Sequence, residues 1–283
     1  MTPLLANKTI LIVGAAGGLG AAHAWACANA GAKLVLCDAG RDVEGRGAEP
    51  ERLHELGQAL ATAQIPCLLD TQPIEQPGAA QALIERTLTE YGRIDGLIYC
   101  AGLHRPTPLL SLTDEDLMSA LEVQALAAIR TSREVAKAMR RSGSGSIVLT
   151  IGAGALQGAH RQSHHAAADG ALTAFVRSAA LDLRRHQVRI NALASLALTR
   201  TTADLPMFRN HHGSMTADHV AKVALFLLSD AATHVTGETV GSAGTRLYGL
   251  RLRETAGQML DQTSDQTLDV ATIAAAFKDA TRP

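Results

Sequence analysis

Short apolar runs alternate with amphipathic stretches along most of the 283-residue chain, and this alternation limits the possible folds more than any other feature. The runs are rich in Val, Ile and Leu and have the length of strands, whereas the stretches between them have helical spacing. This alternation predicts an α/β domain with a doubly wound parallel sheet of about seven strands. The expected strands are 9–13, 33–37, 67–69, 96–99, 146–151, 188–193 and 239–241, and the expected helices are 19–30, 51–63, 76–91, 114–141, 163–185 and 216–229.

The last part of the chain has a different character. After residue 250 the sequence is polar, with one modest helical pattern at 270–277. We therefore predict a single domain over 1–250, followed by a C-terminal tail over 251–283 that packs on the domain or on a partner subunit. The polar, Gly-rich segment 40–50 is expected to be a loop.

Charge and cysteine content exclude several classes of protein. The 26 basic and 27 acidic side chains give a formal charge of -1, so we expect neither a nucleic-acid-binding nor a membrane-binding surface. The four cysteines are scattered without zinc-type spacing, which favours reduced thiols and a cytoplasmic protein. Asn7 and Lys8 interrupt the N-terminal apolar run, so no signal peptide is expected. No apolar stretch is long enough to span a bilayer.

A Gly-rich turn follows the first predicted strand. Gly14, Gly18 and Gly20, with Leu19 between the last two, stand where the chain enters a helix. Glycines in that position allow a dinucleotide diphosphate to approach the helix N-terminus. Asp38 ends the second strand, where a carboxylate binds ribose hydroxyls and repels a 2′-phosphate, which favours NAD over NADP. The alternative is a turn that needs glycine but binds no nucleotide.

As a set, these features resemble the short-chain dehydrogenase/reductase family. The Gly-rich turn is similar to the TGxxxGxG motif of that family, with Val13 in place of Thr. Ala101-Gly102 resemble the end of its NNAG motif. Thr199–Thr202 (TRTT) is similar to the TRMT of one branch, the hydroxyacyl-CoA dehydrogenase part of multifunctional enzymes. The resemblance covers about 7–250 and implies a Rossmann-type domain with cofactor contacts at Gly14, Gly18, Leu19, Gly20, Asp38, Asp70, Thr71, Ala101, Gly102 and Thr199.

The resemblance also locates the catalytic positions of the family, and here all four are changed. The family uses Ser, Tyr, Lys and Asn. The segment QSHHAAAD matches a branch pattern like QANYSAAK, which places His165 at the Tyr and Asp169 at the Lys. The Ser position falls on Gly152 and the Asn position on Gln124. We therefore expect a degenerate catalytic tetrad and no ordinary hydride transfer, because the proton-transferring groups are missing.

Three interpretations of the replacement residues remain open from the sequence. His165 and Asp169 lie four residues apart on a helix, so they can form an acid–base dyad. They can also be neutral drift after catalysis was lost. A third interpretation is a metal cluster of His160, His164, His165 and Asp169, although we predict no metal site.

The expected function follows from a preserved scaffold around a changed catalytic set. We expect a non-catalytic subunit of a hetero-oligomeric, NAD-dependent, hydroxyacyl-CoA-type dehydrogenase, paired with an intact paralogue and an acyl-CoA substrate. The alternatives are an enzyme for dehydration, isomerisation or cyclisation that uses the His–Asp dyad, and an NAD-binding regulatory protein. The resemblance implies a homo- or hetero-oligomer that associates through the helices at 114–141 and 163–185. Arg209, His211 and His212 belong to an expected substrate loop.

Overall fold

The computed structural model describes residues 3–152, 154–203, 208, 215–257 and 270–281. Within them, eight strands form one sheet in the order β3-β2-β1-β4-β5-β6-β7-β8. The first seven strands are parallel, which confirms the expected doubly wound sheet. The strands are β1 Thr9–Val13, β2 Lys33–Cys37, β3 Cys67–Asp70, β4 Gly96–Tyr99, β5 Gly145–Ile151, β6 Val188–Leu196, β7 Thr239–Ala243 and β8 Arg246–Leu250.

The eighth strand was not predicted. It pairs antiparallel with β7 at the edge of the sheet, after a tight turn at Gly244, which has φ +56°. No crossover helix precedes β8, so the strand–helix alternation gives no sign of it. Its side chains are largely exposed, including Arg246 and Leu247. Its sequence, RLYGL, is therefore not the continuous apolar run that predicts a buried strand.

Helices cover both faces of the sheet. They are α1 Gly18–Asn29, α2 Glu51–Thr62, α3 Ala79–Tyr91, α4 Asp114–Ala120, α5 Ala127–Ser142, α6 Gly154–Gln157, α7 Ser163–Leu183 and α8 Ala217–Leu228. A further helix, α9 Val270–Ala280, lies in the C-terminal segment. The helix expected over 114–141 is in the predicted place, but a π-helical turn over Leu121–Leu126 separates α4 from α5. Single turns of this kind are frequent at functional sites, and this one carries Gln124.

The sheet lies between two apolar cores. Ile10 and Ile12 of β1 point to the core shared with α1, α2 and α8, whereas Leu11 and Val13 point to the core shared with α3, α5 and α7. Each of these four side chains is almost wholly buried. Burial on both faces explains why the strands have continuous apolar sequences instead of alternating ones.

The topology brings the predicted site residues to one edge of the sheet. Gly14, Asp38, Cys100 and Gly152 directly follow the carboxyl ends of β1, β2, β4 and β5. Since parallel strands end at the same edge, the segments after them meet there. The strand order reverses between β1 and β4, which is where open α/β sheets form their ligand crevice.

Contacts within the chain divide it into two compact units, Met1–Leu250 and Arg251–Pro283. In the second unit, the Thr255 hydroxyl donates to the Ala280 carbonyl at the end of α9, at 2.6 Å. What the tail packs against stays a prediction. Among the described residues, no helix is both long enough and apolar enough to cross a membrane.

Candidate functional site

A cavity of about 420 Å³ opens at the carboxyl edge of the sheet. It runs from the Gly-rich turn to the predicted catalytic positions. Twelve of the fourteen predicted site residues line it, and the other two, Asp70 and Thr71, do not. The twelve are Gly14, Gly18, Leu19, Gly20, Asp38, Ala101, Gly102, Gln124, Gly152, His165, Asp169 and Thr199.

The Gly-rich turn is packed so closely that two of its glycines have no room for a side chain. A Cβ on Gly14 would lie 2.5 Å from the Ala101 nitrogen, and Gly14 also has φ +85°. A Cβ on Gly20 would lie 2.0 Å from the Gly14 carbonyl oxygen. The first N–H groups of α1, at Gly18 and Leu19, have no partner within the helix. A turn of this shape fits the diphosphate of a dinucleotide, because it leaves donors and space at the helix N-terminus.

Asp38 is fixed at the end of the cavity that lies beside the Gly-rich turn. One of its carboxylate oxygens accepts from the Ala16 N–H at 2.8 Å, and the other accepts from the Gly40 N–H at 2.9 Å. The neighbouring cation, Arg41, is engaged in an ion pair with Glu75. A 2′-phosphate here would meet a carboxylate, and the nearby guanidinium is already paired. These residues fit a dinucleotide with free ribose hydroxyls.

Neither Asp70 nor Thr71 lines the cavity. Thr71 is exposed, whereas Asp70 is held in a network of hydrogen bonds. The Asp70 carboxylate accepts from the Gln72 N–H at 2.8 Å and from the Arg86 guanidinium at 3.0 Å. The Asp70 carbonyl also accepts from the Asp38 N–H, which ties the ends of β2 and β3 together. Gln72, which sequence reasoning did not single out, lines the cavity in this region.

At the other end of the cavity, both ring nitrogens of His165 have partners. Nδ1 lies 2.7 Å from the Gln124 Oε1, and Nε2 accepts from the Arg105 N–H at 3.1 Å. Because Nε2 must be an acceptor, the ring proton resides on Nδ1 and is donated to Gln124. Burial and, to a smaller degree, the nearby His164, His104 and Arg105 lower the pKa of His165 to about 3. The imidazole is therefore neutral at physiological pH.

Two further imidazoles surround His165. The His104 ring stacks on it with centroids 5.6 Å apart, and the His164 ring is tilted against it at 4.0 Å. Burial, followed by His164, lowers the pKa of His104. Neither ring nitrogen of His164, which is 1% exposed, has a hydrogen-bond partner among the described residues. The cluster opposes any additional positive charge at the position of the family Tyr.

Asp169 has a different partner. One carboxyl oxygen accepts from the Gly152 N–H at 2.9 Å, and a Cβ on Gly152 would lie 2.9 Å from that same oxygen. Burial raises the pKa of Asp169 to about 7, against the opposing effect of the Gly152 N–H. The carboxyl group thus fills the space that a Ser at position 152 would need.

The geometry bears on two of the interpretations left open by the sequence. His165 and Asp169 share a face of α7, but no hydrogen bond joins them, since one is bonded to Gln124 and the other to Gly152. In this geometry the two side chains do not contact each other as the dyad interpretation would require. Within the described part of the chain, no group of three or more His, Cys, Asp or Glu is arranged to hold a metal ion. His160 of the proposed cluster is exposed before α7.

The four tetrad positions thus form two contacting pairs, Gln124 with His165 and Gly152 with Asp169. Each buried polar group in these pairs is satisfied by another replaced residue or by backbone. With its pKa lowered to about 3 and both ring nitrogens hydrogen-bonded, His165 is not poised to exchange a proton near neutral pH. The one titratable group of the four near that pH is the Asp169 carboxyl.

Sequence reasoning missed Arg105. Its backbone N–H bonds His165, its Nε donates to the Glu44 carbonyl at 2.6 Å and its Nη1 donates to Asp116 at 3.3 Å. Arg105 thereby connects the loop at 40–47 to His165. The only sequence signal is its place in a polar loop directly after Ala101-Gly102. Arg209, His211 and His212 of the expected substrate loop lie outside the described residues.

Comparisons with known proteins agree with this architecture. Residues 14–244 match the model of a family described as enoyl-(acyl carrier protein) reductase. Levodione reductase of Leifsonia aquatica is 28% identical over 84% of this chain and 94% of its own length. Peroxisomal multifunctional enzyme A of Dictyostelium discoideum is 25% identical over 93% of this chain, which spans 59% of that enzyme. A short chain dehydrogenase from Mycobacterium avium has a similar structure, with a TM-score of 0.85, 24% identity and 99% and 97% of the two chains covered.

Proposed function

Because the chain belongs to the short-chain dehydrogenase/reductase family of oxidoreductases, we propose that it is a dinucleotide-binding member that does not itself transfer hydride. In this proposal it is the non-catalytic subunit of a hetero-oligomeric, NAD-dependent dehydrogenase of the hydroxyacyl-CoA type. Its partner is an intact paralogue that contributes the catalytic residues.

The observation that carries the proposal is the state of His165. A group at this position has to give a proton to, or take one from, the substrate oxygen as hydride moves. His165 is neutral, its Nε2 lone pair is occupied by the Arg105 N–H and its Nδ1 proton is donated to Gln124. Loss of a positioned acid or base costs a factor of roughly 10²–10⁴ in rate. Gly152, in addition, has no hydroxyl to bond the substrate oxygen.

The cofactor half of the cavity supports dinucleotide binding. A nicotinamide dinucleotide, when bound, supplies or accepts the hydride in this family. In this chain, the turn at Gly14–Gly20 would hold the diphosphate, and Asp38 would bind the adenosine ribose hydroxyls. At the far end, the Asp169 carboxyl lines the cavity and can accept hydrogen bonds from ribose hydroxyls in place of a Lys donor.

The assignment to a hydroxyacyl-CoA-type complex depends on similarity. Peroxisomal multifunctional enzyme A is similar over 93% of this chain, and the TRTT segment at Thr199–Thr202 matches the same branch. Thr199 lies beside the Gly-rich turn, with its Cβ 3.0 Å from the position that a Cβ on Gly18 would take. The proposed substrate class and the proposed partner both follow from this branch, and the protein is proposed to work in the cytoplasm.

One observation favours a second candidate. The Asp169 carboxyl lines the cavity and has a pKa of about 7, which suits a group that exchanges protons near neutral pH. The second candidate is therefore an enzyme for dehydration or isomerisation in which Asp169 is the proton carrier. This replaces the His–Asp dyad, in which His165 carried the proton.

The first experiment separates binding from chemistry. We expect NADH to bind the purified chain, as measured by quenching of protein or enhancement of nicotinamide fluorescence. We expect no oxidation or reduction above the buffer rate with a panel of hydroxyacyl-CoA thioesters, alcohols and ketones. NAD-dependent turnover by the native chain would overturn the proposal. Failure of both NADH and NADPH to bind would remove the cofactor part of it.

The second experiment tests the role of the changed residues. Variants Asp169→Asn and His165→Ala are assayed together with the intact paralogue, with Glu55→Gln on the exposed side of α2 as the control. A non-catalytic subunit predicts that Asp169→Asn leaves the turnover of the complex within about twofold of native, provided that folding and assembly are unchanged. A loss of 10²-fold or more with Asp169→Asn alone would favour the second candidate.

A further inference from the structure

The Asp169 carboxyl at the far end of the cavity has one oxygen, Oδ1, without a partner among the described residues. Its other oxygen accepts from the Gly152 N–H at 2.9 Å. The residue is 6% exposed and lines the cavity. Acidic side chains are seldom buried to this degree without a partner or a ligand. The Oδ1 oxygen is therefore available to a molecule that enters the cavity.

The neighbouring loop and the adjacent imidazole do not neutralise this carboxylate. Asp169 belongs to none of the ion pairs among the described residues. The Arg105 guanidinium is engaged by the Glu44 carbonyl and by Asp116. Burial and, to a smaller degree, nearby positive groups lower the pKa of His165 to about 3, so its ring is neutral. The carboxylate is therefore paired with neither of these side chains.

The other elements packed against this part of α7 add no free cation within the described residues. Strand β5 and helix α6 contain no charged side chain. Glu122 of the π-helical turn is paired with Arg130, and Arg189 of β6 donates to two main-chain carbonyls at the end of α8. On α7 itself, the His164 ring packs against His165. The charged or imidazole side chains elsewhere in the cavity lining are Asp38, Arg41, Asp42, Glu75, His104 and Arg200.

The proposed binding mode directs the nicotinamide half of a dinucleotide to this end of the cavity. The turn at Gly14–Gly20 would hold the diphosphate and Asp38 the adenosine ribose, so the other half extends away from Asp38. The part of the cavity that remains is lined by Gln124, Gly152 and Asp169. The oxidised nicotinamide ring carries one positive charge that the reduced ring lacks. The two forms of the cofactor therefore differ in charge only at the end where Asp169 lies.

We propose that the carboxylate of Asp169 makes the cavity selective for the oxidised dinucleotide, NAD⁺, over the reduced form, NADH. The carboxylate attracts the positive ring of NAD⁺, whereas the uncharged ring of NADH gains nothing from it. A Lys at this position, as in the family, has the opposite charge and cannot act in this way. This inference rests on the proposed function, since it describes the regulation of a subunit that binds a dinucleotide without turning it over. The form bound by the subunit would follow the ratio of NAD⁺ to NADH.

Protonation of Asp169 removes this attraction. Burial raises the pKa of Asp169 to about 7, against the opposing effect of the Gly152 N–H. The carboxyl is therefore mainly neutral at about pH 6 and mainly charged at about pH 8. Since NAD⁺ binds better to the charged carboxyl, its advantage over NADH rises with pH. By linkage, NAD⁺ binding must also release more protons near neutral pH than NADH binding does.

The test compares the two forms of the cofactor on the purified native chain. Isothermal titration calorimetry gives the dissociation constants of NAD⁺ and NADH at about pH 6 and about pH 8. We expect the ratio of the NADH constant to the NAD⁺ constant to rise by about fivefold over this range. Both forms share the adenosine, the diphosphate and the second ribose, so contacts with those groups cancel from the ratio.

Asp169→Asn removes the charge and keeps the size of the side chain. In this variant the ratio should change by less than about 1.5-fold between the two pH values, because no carboxylate forms. The control is Glu55→Gln, an exposed change on α2, which should keep the full pH dependence. If Asp169→Asn does not fold, proton release by the native chain decides. Titration in two buffers of different ionisation enthalpy should then show more protons released by NAD⁺ than by NADH.

Three results would overturn the inference. They are a native ratio that does not rise with pH, equal proton release by the two forms, and a pH dependence that survives in Asp169→Asn. The last result would assign the effect to another titratable group of the lining, such as His104. Failure of both forms to bind would overturn this inference together with the cofactor part of the proposed function. Hydride transfer by the native chain would end the proposed function alone, since binding is the only readout here.

Discussion

The two ends of the cavity are built in different ways. At the cofactor end, the shape comes from backbone, since Gly14 and Gly20 pack against main-chain atoms and Asp38 is held by two main-chain N–H groups. At the other end, the shape comes from side chains that bond one another, His165 with Gln124, and from the carboxyl of Asp169. We call the first the backbone-built end and the second the side-chain-built end. The backbone-built end tolerates few substitutions, whereas contacting residues at the side-chain-built end can be substituted together, in pairs.

Under the proposed function, the pairing explains how the four predicted catalytic positions could change without leaving unsatisfied polar groups in the interior. A single replacement would have left a buried donor or acceptor unsatisfied, at a cost of about 1–3 kcal/mol. Here each replaced polar group has a partner. Neutral substitution of one residue at a time would not be expected to give every replaced polar group a partner. His164 is an exception, since both its ring nitrogens are buried without a partner among the described residues, and nothing in the structure explains it.

The largest effect is expected at the backbone-built end. Gly14→Ala places a Cβ 2.5 Å from the Ala101 nitrogen at a φ of +85°, so both overpacking and left-handed strain apply. We expect the free energy of unfolding to fall by about 4 kcal/mol, measured by urea denaturation. The control is Gly78→Ala, which has φ +82° and nothing within 4 Å of its Cβ and should lose only about 1 kcal/mol. Equal losses at both sites would show that contact with Ala101 has no role.

The second effect comes from the buried carboxyl at the other end. The pKa of Asp169 is raised to about 7 in the folded chain, above its unfolded value. Its contribution to stability is therefore complete below about pH 4 and is lost as the pH rises through about 7. Asp169→Asn removes the ionisation, so this variant should be more stable than native at pH 8 by about 3 kcal/mol. At pH 4 the two should differ little.

Denaturant unfolding at the two pH values measures this difference. The exposed Asp182 of α7 provides the control, because Asp182→Asn changes the same charge on the same helix without burial. A gain in stability for Asp169→Asn that is independent of pH would contradict the assignment of a raised pKa.

The contrast between the two ends also limits what the sequence can predict. The seven parallel strands and the lining of the cofactor end follow from short-range patterns, namely apolar runs and the spacing of Gly14, Gly18 and Gly20. The resemblance located Gln124, Gly152, His165 and Asp169, and all four line the cavity. The hydrogen-bond partners of these residues could not be predicted from the sequence. The spacing on α7 puts His165 near Asp169 but does not determine which rotamer each side chain adopts. The contact of His165 with Arg105 joins residues 60 positions apart, beyond any local pattern.

The third prediction measures the coupling between two replaced residues. Gln124→Ala and His165→Ala each leave the other side chain without its 2.7 Å partner, so each alone should cost about 1–3 kcal/mol. The double variant should cost less than the sum, with a coupling of about 1 kcal/mol in a double-mutant cycle. A cycle of Gln124→Ala with His54→Ala, an exposed residue of α2, should be additive. Additivity in both cycles would mean that the two residues only happen to be adjacent.

The smallest effect is a preference between two cofactors at the backbone-built end. Asp38 is held by the Ala16 and Gly40 N–H groups, and Arg41 is paired with Glu75, so a 2′-phosphate would meet negative charge with no free guanidinium beside it. We expect NADH to bind at least about tenfold more tightly than NADPH, which corresponds to about 1.4 kcal/mol. Fluorescence titration with each cofactor gives the ratio.

Asp38→Asn identifies the cause of that preference. The amide oxygen can keep one main-chain N–H bond while the negative charge is lost, so the ratio should fall to about threefold or less, mainly through tighter NADPH binding. Glu55→Gln, an exposed change on α2, should leave it unaltered. If NADPH bound the native chain more tightly than NADH, the carboxylate at the end of β2 would not be facing the ribose. The backbone-built end would then have been preserved for a purpose other than NAD binding.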